Sequence, residues 1–571
     1  RYERLATLEF TSDRCRMSVL YRRPDGRLVL YAKGADHVML PLMVDATPLH
    51  MLQRSHDHMQ EFARLGFRVM VAGYREVDEA EYQEFKSKVE IVSLGGPAEM
   101  NKESVIEEAY ALLERGLECL GVTCVEDSLQ DDVPETIRYF QDAGVRVWIL
   151  TGDKMETALN VAKTSAMLRP NAEVLTIDSS DWADIRAKVE AILDKAALEG
   201  AAEGVGQLGD RALLLAGAAL STIQKEDPEK LLQLCKLCGV IICARCAPIQ
   251  KSAIVSFIAR RLRAVTLAVG DGGNDVPMIQ SAHVGVGIMG NEGTQAAQSA
   301  DYAVGEFRLL RRLVAVHGRY CQLRITTLIK LVLYKNVMFC IPQILFNSFT
   351  LFSSSSLYNS WIILGFNALF TDGPMLILAI FERDLVPDLL SRYPGVYRAT
   401  EARDALCLSA IAGWQGVAAW QGVAAALVSV YSYAIFPADS NGLDKSLDPL
   451  GFLVAMTAVM TVQCTSAVCT MQWTVINHVL LLGTTAAFFV AVILLDYLFC
   501  PDATEPIVGC GVTMSMVLPQ GTIWLSHFVG LVVCSGPLLA FRYLKRTYRP
   551  TVAQVVQEIG AREMSESRRH P

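Results

Sequence analysis

The sequence predicts a soluble α/β portion built on a doubly wound parallel sheet, preceded by part of an α+β unit and followed by an all-α transmembrane bundle of six helices. Three observations predict it. Residues 1 to about 325 interleave charged and apolar residues, as soluble α/β proteins do. Beyond them come six apolar runs, each with the ~20 residues a helix needs to cross a bilayer. Within the first portion, two short apolar runs are each followed at once by a Gly/Asp-rich turn and a helical start, the order that places ligands at the carboxyl ends of parallel strands.

The elements follow in order. Leu5 to Tyr21 reads as strand, turn and strand, so a domain is already under way at Arg1, and no basic segment leading into an apolar stretch marks a signal peptide. We divide the chain into residues 1–117, residues 118–318, a membrane portion 319–548 and a tail 549–571. The Ala/Gly-rich stretch Ala196–Gly209 reads as a surface insertion. The apolar runs lie at about 328–352, 357–381, 405–436, 450–471, 475–499 and 522–543. Arg383, Arg392, Arg398 and Arg403 in one loop, and Arg542, Lys545, Arg546 and Arg549 after the last run, place those sides in the cytoplasm, whereas the intervening loops carry Lys445 as their only Lys or Arg. Six spans return the chain to its starting side, so residues 1–325 are expected to be cytoplasmic. Residues 414–425 repeat Trp-Gln-Gly-Val-Ala-Ala twice, a tandem duplication too short for a solenoid.

Composition narrows the function. Of 571 residues, 52% are hydrophobic and 20% charged, which excludes disorder as the main state. A net charge of −8 excludes a nucleic-acid binder that works by bulk charge. Fifteen cysteines are too dilute for a disulfide scaffold. Cys235-Lys-Leu-Cys238 and Cys243-Ala-Arg-Cys246 have zinc-like spacing, but the apolar Gly-Val-Ile-Ile between them reads as a strand, so buried thiols are expected. Cys500 and Cys510 share a non-cytoplasmic loop, where a disulfide can form.

The chemistry lies after two strands. Val145-Arg-Val-Trp-Ile-Leu150 precedes Thr151-Gly-Asp-Lys154, and Val265-Thr-Leu-Ala-Val269 precedes Gly270-Asp-Gly-Gly-Asn-Asp275. Thr151 offers a hydroxyl, and Gly152 admits a phosphate close to the backbone. Asp271 and Asp275 are hard oxygen donors suited to Mg²⁺, and Asn274 adds neutral hydrogen bonding. Lys251 is a cation at a helix start, fit to neutralise a phosphoryl group. Gly, Asn and Asp also dominate plain turns; the pairing of both motifs at strand ends, with Lys251 between, favours the functional reading.

These motifs resemble those of the P-type ATPases. Met278-Ile-Gln-Ser-Ala-His-Val-Gly-Val-Gly287, Asn291-Glu-Gly-Thr-Gln-Ala296, Val316-His-Gly318 and Tyr334-Lys-Asn336 resemble the phospholipid-translocating subclass, the lipid flippases, and so does the tail Pro550–Glu558. The resemblance implies a haloacid-dehalogenase-like phosphorylation domain over 118–318 and the C-terminal part of a nucleotide-binding domain over 1–117. It implies ATP and Mg²⁺ as cofactors, an aspartyl-phosphate cycle, a phospholipid substrate and a small two-span accessory subunit, in a multi-pass membrane protein with cytoplasmic soluble domains. Thr151, Asp153, Lys251 and Asp271 are then catalytic, with Asp271 and Asp275 at the metal. Phe10 resembles the adenine-stacking ring; Lys33, Arg68 and Arg245 match cations that meet the nucleotide. Thr151, Gly152, Asp153, Lys251, Asn274 and Asp275 complete the ATP site. Lys335, Asn336 and Asn367 are hypothetical headgroup contacts.

The sequence also departs from the family pattern. The Asp-Lys-Thr-Gly-Thr run bearing the phosphorylated aspartate does not occur in residues 1–571, so the chain is expected to be part of a longer pump and inactive alone. Leu215-Ala-Gly-Ala218 stands where flippases usually show Asp-Gly-Lys. Asp372, in Asn367-Ala-Leu-Phe-Thr-Asp-Gly-Pro374, is an acid more typical of cation pumps, which leaves a cation-transporting P-type ATPase as one alternative; Lys335, if it does not merely snorkel, opposes that reading. A catalytically inactive nucleotide-binding scaffold is the other.

Overall fold

The computed structural model describes residues 2–10, 14–43, 47–64, 67–93, 102–125, 129–200, 211–290, 294–400, 406–435, 447–499 and 521–569. The chain forms two compact units, one of Arg1–Arg138 with Arg146–Arg308 and one of Tyr139–Val145 with Leu309–Pro571.

The first unit opens with an antiparallel sheet of β1 (Glu3–Leu8), β2 (Arg16–Arg22), β3 (Leu28–Gly34), β4 (Arg68–Val77) and β5 (Glu118–Val125), in that spatial order. Leu8, Leu20, Leu30 and Val71 from its strands pack with Met39, Leu113 and Leu117 in one core. Because β5 pairs with β4 from Arg68↔Val125 to Tyr74↔Glu118, this sheet extends past residue 117. The expected boundary at 117/118 therefore falls just before a strand of the first domain; a strand whose ladder is satisfied by β4 cannot open the next sheet. Glu114, buried beneath this sheet, takes hydrogen bonds from Arg14 at 2.5 Å, Arg16 at 2.6 Å and Ser18 at 2.6 Å.

The remainder of this unit is parallel. β6 (Trp148–Leu150), β7 (Glu173–Ile177), β8 (Arg211–Ala216) and β9 (Val240–Ala244) lie in the order β6-β9-β8-β7. β8 and β9 are buried on both faces: Leu213, Leu215, Ile241 and Cys243 join one core, and Ala212, Leu214, Val240 and Ile242 another. This is why both read as unbroken apolar runs. β10 (Leu267–Gly270), β11 (Val284–Ile288) and β12 (Tyr302–Val304) form a separate parallel sheet. The expectation of one doubly wound sheet is corrected here to two, with β6 and β10 each at an edge. The edge of β10 carries apolar side chains in the open: Leu267 is 44% exposed and Val265, just before it, 84%.

The second unit holds six helices long and apolar enough to cross a membrane: Leu309–Phe349, Ser360–Phe381, Leu408–Ala434, Pro449–Cys469, Val475–Leu494 and Ile523–Tyr548. The first begins well before the apolar run at 328, because its charged start is paired: Arg319 forks onto Asp384 at 2.5 and 2.6 Å, and Arg324 donates to the Glu382 carbonyl at 2.7 Å. The second begins at Ser360, where the Asn359 side chain caps the Trp361 N–H at 3.0 Å. Each of these two spans contains a π-helical turn, Leu313–Gly318 and Phe366–Thr371. The duplicated hexapeptide lies wholly within the third span. Trp414 of the first copy meets the Tyr334 ring edge-on at 5.9 Å, and Gln421 of the second accepts the Tyr334 hydroxyl and donates to the Cys534 carbonyl at 3.1 Å. Their counterparts differ: Trp420 is exposed, and Gln415 contributes nothing to this network. Cys500, Cys510, Arg403 and Lys445 lie outside the described residues.

Candidate functional site

The two Gly/Asp turns sit where parallel strands end. Thr151 follows β6, whose Leu150 is paired with Cys243 of β9. The Thr151 N–H donates to the Cys243 carbonyl, and its carbonyl accepts from the Cys246 N–H, both at 2.9 Å. Within the turn the Thr151 hydroxyl donates to Asp153 Oδ2 at 3.0 Å and accepts from the Asp153 N–H at 3.1 Å. The Asp153 carbonyl accepts from the Arg245 N–H at 2.9 Å. Arg245 holds φ of 53°, a left-handed conformation uncommon for a bulky residue. The loop after β9 is thus tied to the loop after β6 by main-chain bonds.

Lys251 lies in the helix Pro248–Arg261 that follows β9. Its ammonium is buried and donates to Asp275 Oδ1 at 2.9 Å. Asp275 folds back over Gly270, where a Cβ would collide with its side chain, so only glycine fits. Asp271 and Asn274 are exposed on the same turn. The structure therefore joins Thr151, Gly152, Asp153 and Arg245 on one side with Lys251, Asp275 and the Asp271 turn on the other, at the carboxyl ends of β6, β9 and β10. Gly217, in the stretch Leu215-Ala-Gly-Ala218, lies against this group: a Cβ there would stand 2.5 Å from the Arg245 carbonyl. The departure from the family pattern removes a carboxylate and a cation but retains the glycine that the close approach requires.

The donor set suits Mg²⁺, which favours a small number of carboxylates and keeps much of its water. Asp271 presents an open carboxylate, whereas one Asp275 oxygen is engaged by Lys251. Cys235, Cys238, Cys243 and Cys246 are buried around β9, and among the described residues no group of three or more His, Cys, Asp or Glu is placed to hold a metal ion. Burial pushes the Cys235 thiol up to about 12 and Cys238 to about 11. Cys243 is also raised, by its hydrogen bond to Cys246 and by burial.

The expected nucleotide contacts are not in that group. Phe10 is 59% exposed beyond the end of β1, Lys33 is exposed on β3, and Arg68 begins β4, its side chain outside what the structure describes. One contact links the two regions: Lys154, after the Thr-Gly-Asp turn, donates to Asp36 Oδ2 at 2.9 Å. Burial works to raise the Asp36 carboxyl, but the Lys154 ammonium and the His37 N–H outweigh it and hold the group below its ordinary value. Neither Asp36 nor Glu114 was singled out from the sequence. The Lys-Gly-Ala-Asp run carried a signal for Asp36; Glu114 had none beyond a carboxylate near apolar residues.

In the second unit Lys335 does not snorkel. Its side chain is only 2% exposed, donates to the Thr371 hydroxyl at 3.2 Å and forms an ion pair with Asp372. Asn336 and Asn367 are exposed, the latter on the π-helical turn. A cation placed at Asp372 would meet this fixed ammonium, which weakens the cation reading that Asp372 had left open.

Residues 297–551 match the family described as phospholipid-translocating P-type ATPase C-terminal, and residues 1–132 match P-type ATPase, cytoplasmic domain N. The chain is similar to phospholipid-transporting ATPase DRS2 of Saccharomyces cerevisiae, 33% identical over 573 residues covering 100% of this chain and 42% of the yeast protein. It is 33% identical to phospholipid-transporting ATPase 2 of Arabidopsis thaliana over 98% of this chain and 48% of that protein. It is 31% identical to phospholipid-transporting ATPase ID of Homo sapiens over 97% and 47%. The chain thus spans less than half the length of these relatives.

Proposed function

The chain belongs to the phospholipid-translocating P-type ATPases, and on that premise we propose that it supplies the ATP-handling and membrane portions of a pump that moves phospholipid across a membrane through an aspartyl-phosphate cycle. The observation that carries this reading is the joined site after β6, β9 and β10, where a hydroxyl, a buried ammonium and an open carboxylate converge.

In this reading Thr151 and Lys251 bind the transferred phosphoryl group. Asp153 orients the Thr151 hydroxyl and fixes the Arg245 loop, while Asp275 holds Lys251 extended and buttresses the turn bearing Asp271. Asp271, with Asp275 behind it, would hold Mg²⁺, which when bound offsets the charge of the phosphoryl oxygens. Phe10, Lys33 and Arg68 would receive the adenine and phosphates of ATP, with Arg245 and Asn274 completing the contacts. The aspartyl nucleophile comes from sequence outside these 571 residues. The open edges of β6 and β10 support that: an apolar parallel edge is a template for another strand. A strand between them would unite both sheets into one haloacid-dehalogenase-like sheet and deliver its carboxyl end to Thr151, Lys251 and Asp271. A small two-span accessory subunit and cytoplasmic placement of the first unit belong to the same proposal.

The test uses the complete pump containing this chain. With ATP and Mg²⁺ it forms an acid-stable phosphoenzyme whose turnover phospholipid accelerates, and Asp271→Asn abolishes its formation. Turnover accelerated by a metal ion other than Mg²⁺ and not by lipid would establish the cation alternative. Nucleotide binding with no phosphoenzyme would establish the scaffold.

A further inference from the structure

The ion pair between Lys335 and Asp372 lies within the apolar part of the bundle. Lys335 is seven residues into the first apolar run, about 10 Å along the helix, and Asp372 is twelve residues into the second span, about 18 Å along it. A charge at such depth is expensive unless it is paired. Both spans are shaped around this pair. The π-helical turn Phe366–Thr371 ends immediately before Asp372. The carbonyls it frees are taken up locally: Phe366 accepts the Thr371 hydroxyl at 2.5 Å, and Phe370 accepts from Gln463 Nε2 at 2.6 Å. Thr371 in turn accepts from Lys335.

The two partners are not equally enclosed. Lys335 is nearly fully buried, whereas the Asp372 side chain is 42% exposed, and Asn336 and Asn367 are exposed beside the two partners in sequence and on the π-helical turn respectively. The pair is a neutral unit with an accessible negative end.

We infer that Asp372 sets headgroup selectivity, making the site prefer a zwitterionic phospholipid over a net anionic one. The inference rests on the phospholipid reading given above. A zwitterionic headgroup carries a phosphate and an ammonium, the complement of Lys335 and Asp372, so exchanging partners leaves the buried site with no net charge. A serine headgroup adds a carboxylate and leaves a net negative charge, which a low-dielectric site opposes. Discrimination comes from the repulsive element as much as the attractive one. Removing the Asp372 charge while leaving Lys335 inverts the balance, since a lone ammonium then favours the anionic lipid.

The test is saturable binding of short-chain phosphatidylethanolamine and phosphatidylserine to the full chain in phosphatidylcholine nanodiscs, read by native mass spectrometry. The unsubstituted chain should bind the ethanolamine lipid about tenfold or more tighter than the serine lipid. Asp372→Asn should reverse that order. Asp372→Glu, which keeps the charge, should preserve it and shows that the position tolerates substitution. An unchanged ratio in Asp372→Asn, an equal or serine-preferring ratio in the unsubstituted chain, or loss of the preference in Asp372→Glu overturns the inference while leaving lipid transport standing. Absence of saturable binding of either lipid also overturns it, and the phosphoenzyme experiment then decides the transport reading separately.

Discussion

Glu114→Gln is the substitution whose effect can be worked furthest. Glu114 is 1% exposed and holds two guanidinium groups and a hydroxyl within 2.6 Å. Glutamine keeps the shape and one acceptor but removes the negative charge, leaving Arg14 and Arg16 facing each other without that counter-charge. Breaking a buried ion pair by removing one partner costs about 3–5 kcal/mol. Arg16 keeps some access to water, so the lower figure applies. A loss of about 3 kcal/mol is roughly a hundredfold in the local opening equilibrium. The segment concerned matters for nucleotide binding: Arg14 also donates to the Glu9 carbonyl at 2.7 Å, and the Cys15 carbonyl accepts from Ala35, so Glu114 anchors the chain next to both Phe10 and Lys33. Hydrogen exchange of the full chain in detergent, read by mass spectrometry, should accelerate by about two decades in peptides covering β1 to β3. Peptides from the membrane helices should be unchanged. Acceleration below about tenfold, or the same acceleration everywhere, would refute the reasoning. Replacing Glu114, Arg14 and Arg16 together by apolar residues of similar volume should restore most of the protection, because no buried charge is then left behind.

Gly270→Ala drives a Cβ into Asp275 and releases Lys251, so exchange should rise across Leu267–Ser281, consistent with an overpacking cost of about 1–3 kcal/mol; unchanged exchange there would show that the turn yields freely. Native labelling with N-ethylmaleimide near neutral pH should modify exposed Cys124 promptly and leave Cys235 and Cys238, whose thiols burial raises to about 12 and about 11, untouched until denaturation, as peptide mapping will show. The Asp36–Lys154 contact should contribute stability above the ordinary carboxyl range and lose it as pH falls through the depressed value of Asp36, since the unfolded chain takes up the proton first. The difference in thermal unfolding between the unsubstituted chain and Asp36→Asn should therefore be constant from neutral pH down to that range and shrink below it; a difference that grows on acidification would reverse the assigned sign.

Patterning along the chain carried the membrane spans and both Gly/Asp turns, because apolar run length and strand-terminal glycine are local properties. The first span escaped at its start: Arg319 and Arg324 look like the end of an apolar run until Asp384 and the Glu382 carbonyl, some sixty residues on, are seen to receive them. The single parallel sheet was overdrawn for a related reason. Whether β6 and β10 share a ladder depends on what lies between them, which neither strand states. Lys335 and Asp372 were both visible as charges in apolar runs, yet weighed as evidence for opposing functions; only the packing of two helices makes them partners. Glu114 shows the same limit, since its arginines arrive about a hundred residues earlier.

The duplicated hexapeptide has a consequence for how this membrane helix could change length. At about 100° per residue, six residues advance the helical phase by about 600°, or two-thirds of a turn beyond a whole one, and translate it by about 9 Å. Identical words therefore land on different azimuths, which is why one tryptophan and the other glutamine reach the same tyrosine seven positions apart. Excising either copy would rotate half of the helix away from its neighbours, whereas excising seven residues would nearly conserve the azimuth.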